Sequence, residues 1–277
     1  MTDSRNISRR TFGGIAAAGL AGVLQAKGKK LPIAVQLYSV RTLCAKDLAG
    51  TIEGVAKLGY QGVEFAGYFD HSAQELRKML DANGLKCCGT HNGIDKILEE
   101  NLAKTIEFNQ VIGNRNVIVP GFPPKYRDSI NAWRSTAELF NKVAAQIAPQ
   151  GMRVGYHNHS LEFKPLDGQV PWDVFFGNTS KDVVMQLDIG HAVHAGADPV
   201  AVLKRYPGRA KTVHVKEYSP TKKDAIVGDG EVKWKEVLKA CETVGGTEWY
   251  IIEEESNAYA GLDGIDKSLK RLHGLGR

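Results

Sequence analysis

Eight short apolar runs, separated by segments with helical periodicity, constrain the fold of this 277-residue chain more than any other feature. A strand covered on both faces reads as a short continuous apolar run, and strands that alternate with helices form parallel sheets. The predicted strands cover residues 33–38, 62–66, 86–90, 116–119, 153–156, 183–187, 212–215 and 249–252. Eight such strands, each followed by a helical segment, predict an α/β fold that closes into a single (β/α)8 TIM barrel.

The predicted helices begin and end at residues that favour helix boundaries. Ser72 and Glu75 have the spacing of a capping box at the start of segment 72–82, and Asn83-Gly84 follows its end. Further helices are predicted over residues 47–58, 128–147 and 234–244. A doubly wound open sheet is the alternative fold, but no Gly-x-Gly-x-x-Gly turn follows the first strand to support it.

The first 30 residues are interpreted as an export signal rather than as part of the fold. Ser8-Arg9-Arg10-Thr11-Phe12 is a twin-arginine pattern, and a short Gly/Ala-rich apolar run follows it. The run is too short and too rich in glycine to predict stable membrane insertion. We therefore expect a twin-arginine signal peptide and linker over residues 1–30, a barrel over residues 31–277, and a periplasmic location.

Charge and cysteine content exclude two classes of function. The net charge of +5 is mild, and no Lys/Arg stripe interleaved with aromatic residues predicts a nucleic-acid partner. The four cysteines have no zinc-knuckle spacing and are interpreted as small apolar fillers: Cys44, Cys87, Cys88 and Cys241. The number of subunits stays open, with a homo-oligomer as one alternative.

Polar side chains stand where the predicted strands end, which is the end that carries the active site in barrels of this kind. His157 and His159 share one face of their strand, as do His214 and Lys216, because side chains alternate along a strand. The main candidates are Gln36, Glu64, His91, His157, His159, Glu162, Asp188, His191, His214, Lys216 and Glu253.

An aspartate, a histidine and a glutamate at the ends of strands six, seven and eight indicate a metal site. Burying titratable groups together is costly unless a cation or hydrogen bonds compensate. Mixed imidazole and carboxylate ligands suit Mn²⁺, Zn²⁺, Fe²⁺ or Co²⁺, and their spacing does not choose among these ions. Glu64 has two interpretations, an ion pair with Arg41 or a contact to substrate. The loop 218–232 is longer than usual and could close over a ligand.

Five motifs occur in order along the barrel: Gly155-Tyr-His-Asn-His159-Ser-Leu-Glu162-Phe163, Leu187-Asp188-Ile-Gly-His191, Val213-His214-Val-Lys216, Gly228-Asp-Gly230-Glu-Val-Lys-Trp234 and Tyr250-Ile-Ile-Glu253. Together they resemble the sugar phosphate isomerase/epimerase superfamily, the xylose isomerase-like TIM barrels, from about residue 33 to the C-terminus. Many members carry a glutamate at the end of strand five, where this chain has His157. That difference brings the chain nearer to the inosose dehydratase-like and keto-sugar-processing branches.

The resemblance implies one divalent metal ion bound by Asp188, His214 and Glu253. The expected ion is Mn²⁺, with Zn²⁺, Co²⁺, Fe²⁺ and Mg²⁺ as alternatives. His157, His159 and Glu162 are the candidates for a fourth ligand, and the strand register favours His157.

The resemblance also implies chemistry in which a metal binds the carbonyl of a sugar and a base removes the neighbouring proton. We expect an isomerase or epimerase acting on a non-phosphorylated sugar or keto-sugar, with a lyase or dehydratase as the alternative. Glu162 and His191 are the acid/base candidates, and Lys216 would polarise the carbonyl. The candidates for substrate binding are Gln36, Glu64, His91 and His159.

Two rival functions follow from the same barrel. Apurinic-site endonucleases need further zinc ligands, including an Asp-x-His pair after strand seven, where this chain has Asp229 and Glu231. A non-catalytic carbohydrate-binding barrel is an alternative of another class. Incorporation of deuterium from D₂O distinguishes an enolising enzyme from a binding protein.

Overall fold

The computed structural model describes residues 30–277, in which eight parallel strands close into one barrel in sequence order. The predicted export signal lies outside the described residues. The strands are β1 (Ile33–Gln36), β2 (Gly62–Phe65), β3 (Lys86–His91), β4 (Asn116–Val119), β5 (Arg153–His157), β6 (Val184–Asp188), β7 (Thr212–Val215) and β8 (Trp249–Ile252). This arrangement confirms the (β/α)8 barrel that the alternating apolar runs predict.

Helices surround the barrel and connect its strands. Ser72 caps the helix over Ala73–Ala82 with the predicted capping box: its hydroxyl accepts the backbone N–H of Glu75, whose carboxylate accepts the backbone N–H of Ser72. In residues 30–277 the α-helices are α1 (Arg41–Lys46), α2 (Leu48–Leu58), α3 (Ala73–Ala82), α4 (Glu99–Val111), α5 (Ile130–Ile147), α6 (Pro171–Asn178), α7 (Ile189–His194), α8 (Pro199–Arg205), α9 (Trp234–Ala240) and α10 (Asp263–Gly274).

Several strands end one or two residues away from their predicted ends. Strand β1 stops at Gln36, because the side chain of Gln36 accepts the backbone N–H of Tyr38 and turns the chain into a short 3-10 helix. Strands β3, β5 and β6 extend to include His91, His157 and Asp188. These three polar residues are therefore held by strand backbone rather than by loops.

The two faces of each strand meet different surroundings. On β5, Val154 and Tyr156 pack into the large apolar layer between the strands and the helices, whereas His157 faces the barrel axis. Aromatic rings fill the outer layer; Phe122, for example, stacks on Tyr156 with ring centroids 4.0 Å apart. Inside the barrel, a small apolar cluster is formed by Ala34, Cys88 and Ile251 with Trp249 beside it.

The cysteines agree with the sequence analysis, whereas the apolar run of the predicted export signal lies outside the described residues. All four cysteines are buried and free, and burial is the main cause that raises the pKa of each thiol. Such thiols are inert fillers rather than redox groups. Within residues 30–277, every helix is too short or too polar to cross a bilayer.

Candidate metal centre

Four side chains converge on the barrel axis at the carboxyl ends of β5 to β8. One nitrogen or oxygen atom of each of His157, Asp188, His214 and Glu253 lies within 4.8 Å of those of the other three. His214 Nδ1 is 2.9 Å from Glu253 Oε2 and 3.8 Å from Asp188 Oδ2. All four residues are buried. The tertiary structure thus gathers around one point the four residues that the sequence analysis assigned to a metal ion.

Two buried polar atoms of this cluster, His157 Nδ1 and Asp188 Oδ2, lack a hydrogen-bond partner. A buried polar atom without a partner costs about 1–3 kcal/mol of folding free energy. A divalent cation about 2.0–2.3 Å from each ligand atom would satisfy both of them. Two imidazoles and two carboxylates are also the donor types that divalent transition metals bind. The residues therefore fit one divalent metal ion.

Glu64 lies behind the cluster and orients His214. Its Oε2 accepts hydrogen bonds from His214 Nε2 at 2.6 Å and from Gln36 Nε2 at 2.8 Å, and its Oε1 accepts one from Gln186 Nε2 at 2.8 Å. Because Nε2–H of His214 is directed at Glu64, Nδ1 is the atom that faces the cluster. A carboxylate in this position fixes the tautomer of a metal-binding histidine and makes its other nitrogen a better ligand.

A β-bulge makes room for the Glu64 side chain. Strands β2 and β3 shift register between Val63 and Glu64, where the paired residues are Cys87 and Gly89. A Cβ atom at position 89 would lie 2.2 Å from Glu64 Oε1. Only glycine allows the backbone to approach the carboxylate this closely.

Opposite charges compensate one another within the cluster. Burial alone would lower the pKa of His214, but the carboxylates of Glu253 and Glu64 outweigh it and raise this pKa to about 10, so a metal ion that binds Nδ1 must displace a proton from it. Burial would raise the pKa of Glu253, but Lys216 and His214 hold it well below its usual range. Burial, with a further contribution from Glu253, raises the pKa of Asp188 to about 6 even though Lys216 opposes the shift.

Two imidazoles, those of His91 on β3 and His157 on β5, complete the inner wall on that side of the barrel. Burial and the charge of His214 lower the pKa of His157 well below its usual range, so His157 is neutral and has a lone pair for a metal. His91 stacks on His214 with ring centroids 5.4 Å apart, and its Nε2 is 2.7 Å from Gln186 Oε1. His91 thus lies at the edge of the cluster, where its side chain is 9% exposed.

Lys216 and His191 form a proton-carrying pair beside the cluster. Lys216 Nζ donates to His191 Nε2 at 3.0 Å, lies 3.6 Å from Glu253 Oε2 and pairs with Glu255. Burial would lower the pKa of Lys216, but Glu253 and the other nearby carboxylates raise it, so Lys216 is a cation. Burial and the charge of Lys216 lower the pKa of His191 to about 4, which leaves a neutral imidazole.

Glu162 does not lie in the cluster, and this placement does not support the predicted acid/base or ligand role. It accepts the hydroxyl proton of Tyr156 at 2.6 Å and the backbone N–H of His159 at 2.8 Å. Tyr156 belongs to the outer aromatic layer, so Glu162 is directed away from the barrel axis. Burial raises the pKa of its carboxyl group. Glu162 instead anchors the turn that follows β5.

The predicted substrate-binding residues divide into two groups. His159 is partly exposed at the barrel mouth, with its ring 4.9 Å from that of His191. Gln36 and Glu64 are fully buried beneath the cluster, with their polar atoms engaged by protein groups, so a contact to substrate hydroxyls does not fit their placement. The alternative ion pair of Glu64 is also wrong, because Arg41 donates to Tyr38 and Asn257 instead.

Sequence reasoning missed two supporting residues. Gln186 bridges Glu64, Thr212 and His91, and it was the single polar residue in the run 183–187. A lone amide in a buried strand, two residues before Asp188, was the signal for an inward-facing group. Glu255 pairs with Lys216, but its position in a run of three glutamates gave no means of choosing it.

Comparison with known proteins places this geometry among enzymes. Residues 52–274 match the family model described as "Xylose isomerase-like TIM barrel". An inosose dehydratase of Clostridium botulinum is 24% identical over 245 residues, which cover 74% of this chain and 81% of the relative.

Two solved structures have the same fold. A sugar phosphate isomerase/epimerase of Parabacteroides distasonis superimposes with a TM-score of 0.75 at 24% identity, covering 89% of this chain and 95% of its own. A D-psicose 3-epimerase superimposes with a TM-score of 0.66 at 16% identity, covering 88% and 98%. These similar proteins bear enzyme names, in agreement with the enzyme predicted from the sequence.

Proposed function

The chain belongs to the xylose isomerase-like TIM barrel family, as its strand-end motifs predicted, and from that premise we propose that it enolises a carbohydrate. In this proposal, a proton is removed next to the carbonyl of a non-phosphorylated sugar, keto-sugar or cyclitol. The observation that carries the proposal is the Lys216–His191 pair beside a buried cluster that includes two unpaired ligand atoms. A purely structural cluster would have no use for a proton carrier at its open edge.

The chain's own residues supply binding, proton transfer and charge. His157, Asp188, His214 and Glu253 would hold a divalent cation, for which we propose Mn²⁺ first. When bound, such a cation polarises the carbonyl and hydroxyl oxygens of a sugar.

Proton transfer falls to the pair beside the cluster. His191 is neutral, because its pKa is lowered to about 4, so it is able to accept a proton from carbon. Lys216 directs a cationic ammonium group at the same opening, where negative charge develops on the substrate oxygen.

The same enolised intermediate has three outcomes. Return of the proton to another carbon isomerises the sugar, and return to the opposite face epimerises it. The third outcome is elimination of a β-hydroxyl or β-glycosyl group, and the inosose dehydratase relative, which acts by name as a dehydratase, supports it.

The distribution of proton carriers favours elimination over epimerisation. Epimerisation needs a proton carrier on each face of the sugar, but on the β5 side His157 is a candidate metal ligand, so its lone pair would be taken by the cation. Glu162 is directed away from the barrel axis, whereas His191, Lys216 and Glu255 lie together on the β6 to β8 side. One-sided acid/base groups suit the removal of a proton and a leaving group.

A D₂O experiment tests the proposal. The purified protein, loaded in turn with Mn²⁺, Zn²⁺ or Co²⁺, is incubated in D₂O with free sugars, 3-keto-sugars and inososes, and NMR and mass spectrometry follow the products. An isomerase or epimerase yields a product that has the molecular formula of the substrate apart from the exchanged deuterium, whereas a lyase releases water or a sugar. Metal-dependent binding without any deuterium exchange or product would identify a carbohydrate-binding protein and refute the proposal.

We also propose that the twin-arginine segment exports the folded protein to the periplasm. The pattern at Arg9 and Arg10 supports this proposal. Replacement of both arginines by lysine is expected to leave the protein in the cytoplasmic fraction, as judged by fractionation and immunoblotting. An unchanged periplasmic fraction would contradict it.

A further inference from the structure

Glu217, the neighbour of Lys216 in sequence, is the centre of a hydrogen-bond network that the proposed chemistry does not use. Its carboxylate accepts the backbone N–H groups of Tyr218 at 2.9 Å, Gly228 at 2.7 Å and Val232 at 3.3 Å, and the indole N–H of Trp234 at 2.6 Å. Charge-assisted hydrogen bonds of this kind are about twice as strong as neutral ones. One side chain therefore joins the start, the middle and the end of the loop between β7 and α9.

The same loop is closed by close backbone packing. The backbone N–H of Glu231 donates to the carbonyl of Tyr218 at 2.8 Å, which brings the two ends of the loop together. A Cβ atom at Gly230 would lie 2.1 Å from that carbonyl oxygen and 2.6 Å from Glu217 Oε1. Glycine at this position is thus a requirement of the Glu217 network.

The closed loop borders the candidate active site. Ala225, Ile226 and Val227 line a cavity of about 240 Å³ together with Lys216, Glu217 and residues 253–256. The tip of the loop is tied to the segment after β8, because the hydroxyl of Tyr259 donates to the carbonyl of Asp224 at 2.6 Å. The loop therefore forms one wall beside the strand ends that carry Lys216 and Glu253.

We propose that Glu217 is a positioning residue that latches the 218–232 loop against the strand ends of the candidate active site. In this way it fixes the position of the Lys216 ammonium group. This inference rests on the proposed function for its kinetic consequence but not for its structural one. Side chains alternate along the chain, so Lys216 is directed toward the barrel axis while Glu217 is directed into the loop. Lys216 touches the reacting atoms in the proposed chemistry, and Glu217 acts only through the loop and the backbone that it shares with Lys216.

Glu217→Gln is the central variant, because an amide keeps the size of the side chain but replaces one acceptor by an NH₂ group that faces N–H donors. Trp234→Phe removes a single donor, and Gly230→Ala inserts a methyl group into the network. Glu231→Gln is the matched control: it removes the same charge from the same loop, but the Glu231 side chain is exposed and makes none of these hydrogen bonds.

Trypsin provides a readout that needs no substrate, because Lys222 and Lys223 lie in the loop. Proteolysis reports the population of locally opened states. We expect Glu217→Gln and Gly230→Ala to be cut at these lysines at least tenfold faster than the native protein, Trp234→Phe to be intermediate, and Glu231→Gln to be unchanged. The cleavage sites are identified by mass spectrometry, in parallel with metal content and the thermal midpoint.

The kinetic readout separates positioning from general stability. With a substrate from the D₂O screen, we expect Glu217→Gln to keep its metal ion and most of its thermal stability while kcat falls at least tenfold and KM changes less. Native resistance to trypsin in Glu217→Gln would overturn the proposal, as would accelerated cleavage with native kcat. If Glu217→Gln loses both its metal and its fold, the trypsin and kcat measurements on Trp234→Phe decide the proposal by the same two criteria. If the native protein turns over no sugar, the proposed function fails, while the trypsin assay still decides the latch.

Discussion

The inner face of the barrel strands is polar and the outer face is apolar, although successive residues of the same strands supply both faces. On the inside, Glu64, Gln186 and His214 form a buried polar network around the candidate metal centre. On the outside, Tyr156 and Phe175 belong to an aromatic layer with close ring contacts.

The difference indicates how the fold divides its tasks. The outer layer removes apolar surface from water, which is the main favourable term in folding. The inner network holds charged groups in fixed positions, and their desolvation is compensated mainly by one another and, we expect, by a metal ion. Variants on the two faces should therefore separate function from stability, and the following predictions test that separation.

The largest expected effect is on the inside, at Asp188. Asp188→Asn keeps the shape of the side chain but removes a charged ligand atom that has no other partner. We expect metal content to fall below stoichiometry and turnover to fall by on the order of 10³-fold or more, because Lewis-acid stabilisation contributes several kcal/mol. Elemental analysis and the D₂O assay measure both quantities, and a variant with full metal and native turnover would break the comparison.

The matching change on the outside is Phe175→Ala. Phe175 is fully buried and packs edge-to-face on Phe140 with ring centroids 5.0 Å apart. We expect the free energy of unfolding to fall by about 3–5 kcal/mol, as for other large-to-small core substitutions. Below the thermal midpoint the variant should still bind metal stoichiometrically. Chemical denaturation and metal titration test the two expectations, and loss of metal from folded protein would contradict them.

A smaller inside effect is expected at Glu64, which contacts the candidate ligand His214 rather than the metal. Glu64→Gln weakens the hydrogen bond that fixes His214, so metal affinity should fall by about 10–100-fold. Competition with a chelating dye measures the change. Unaltered affinity would show that the tautomer of His214 is fixed without Glu64, whereas complete loss of metal would assign Glu64 a direct role.

The smallest expected effect is on the outside, at Tyr156→Phe, which leaves the Glu162 carboxylate without the donor 2.6 Å away. We expect a loss of about 1–3 kcal/mol in unfolding free energy. Burial raises the pKa of Glu162, so in the native protein its contribution to stability is lost as pH rises through the folded pKa. The tyrosine hydroxyl opposes that shift.

The loss in Tyr156→Phe should consequently grow as the pH rises from about 4 to about 8, because ionisation of Glu162 through its raised pKa creates the charge that the tyrosine hydroxyl stabilises. Denaturant titrations at the two pH values measure the difference. An equal loss at both values would mean that Glu162 keeps one protonation state across this range.

Much of the fold could be predicted from the sequence, because the strands and the helix caps depend on local patterns. The alternation of apolar runs and the Ser72–Glu75 spacing both correspond to observed elements. The exact strand ends were less predictable. Gln36 ends β1 because its side-chain oxygen accepts a hydrogen bond from the backbone N–H of Tyr38, which hydrophobic patterns do not encode.

The candidate site was predictable where metal-ligating residue types occur at strand ends. It was less predictable where the role of a residue depends on the direction in which its side chain points. His157 and Glu162 are five residues apart in one motif, yet one faces the axis and the other faces the helices. Strand alternation predicted the direction of His157, but the turn after β5 has no fixed period from which the direction of Glu162 could be read.

The sequence by itself determined the barrel and the set of polar residues at its carboxyl end, because local periodicity and strand order are written along the chain. Only the tertiary structure decided which of these residues meet. Closure of the barrel places Glu64 of β2 behind His214 of β7 and leaves Asp188 Oδ2 without a protein partner. Contacts of this kind depend on distances across the barrel, and no spacing along the chain specifies them.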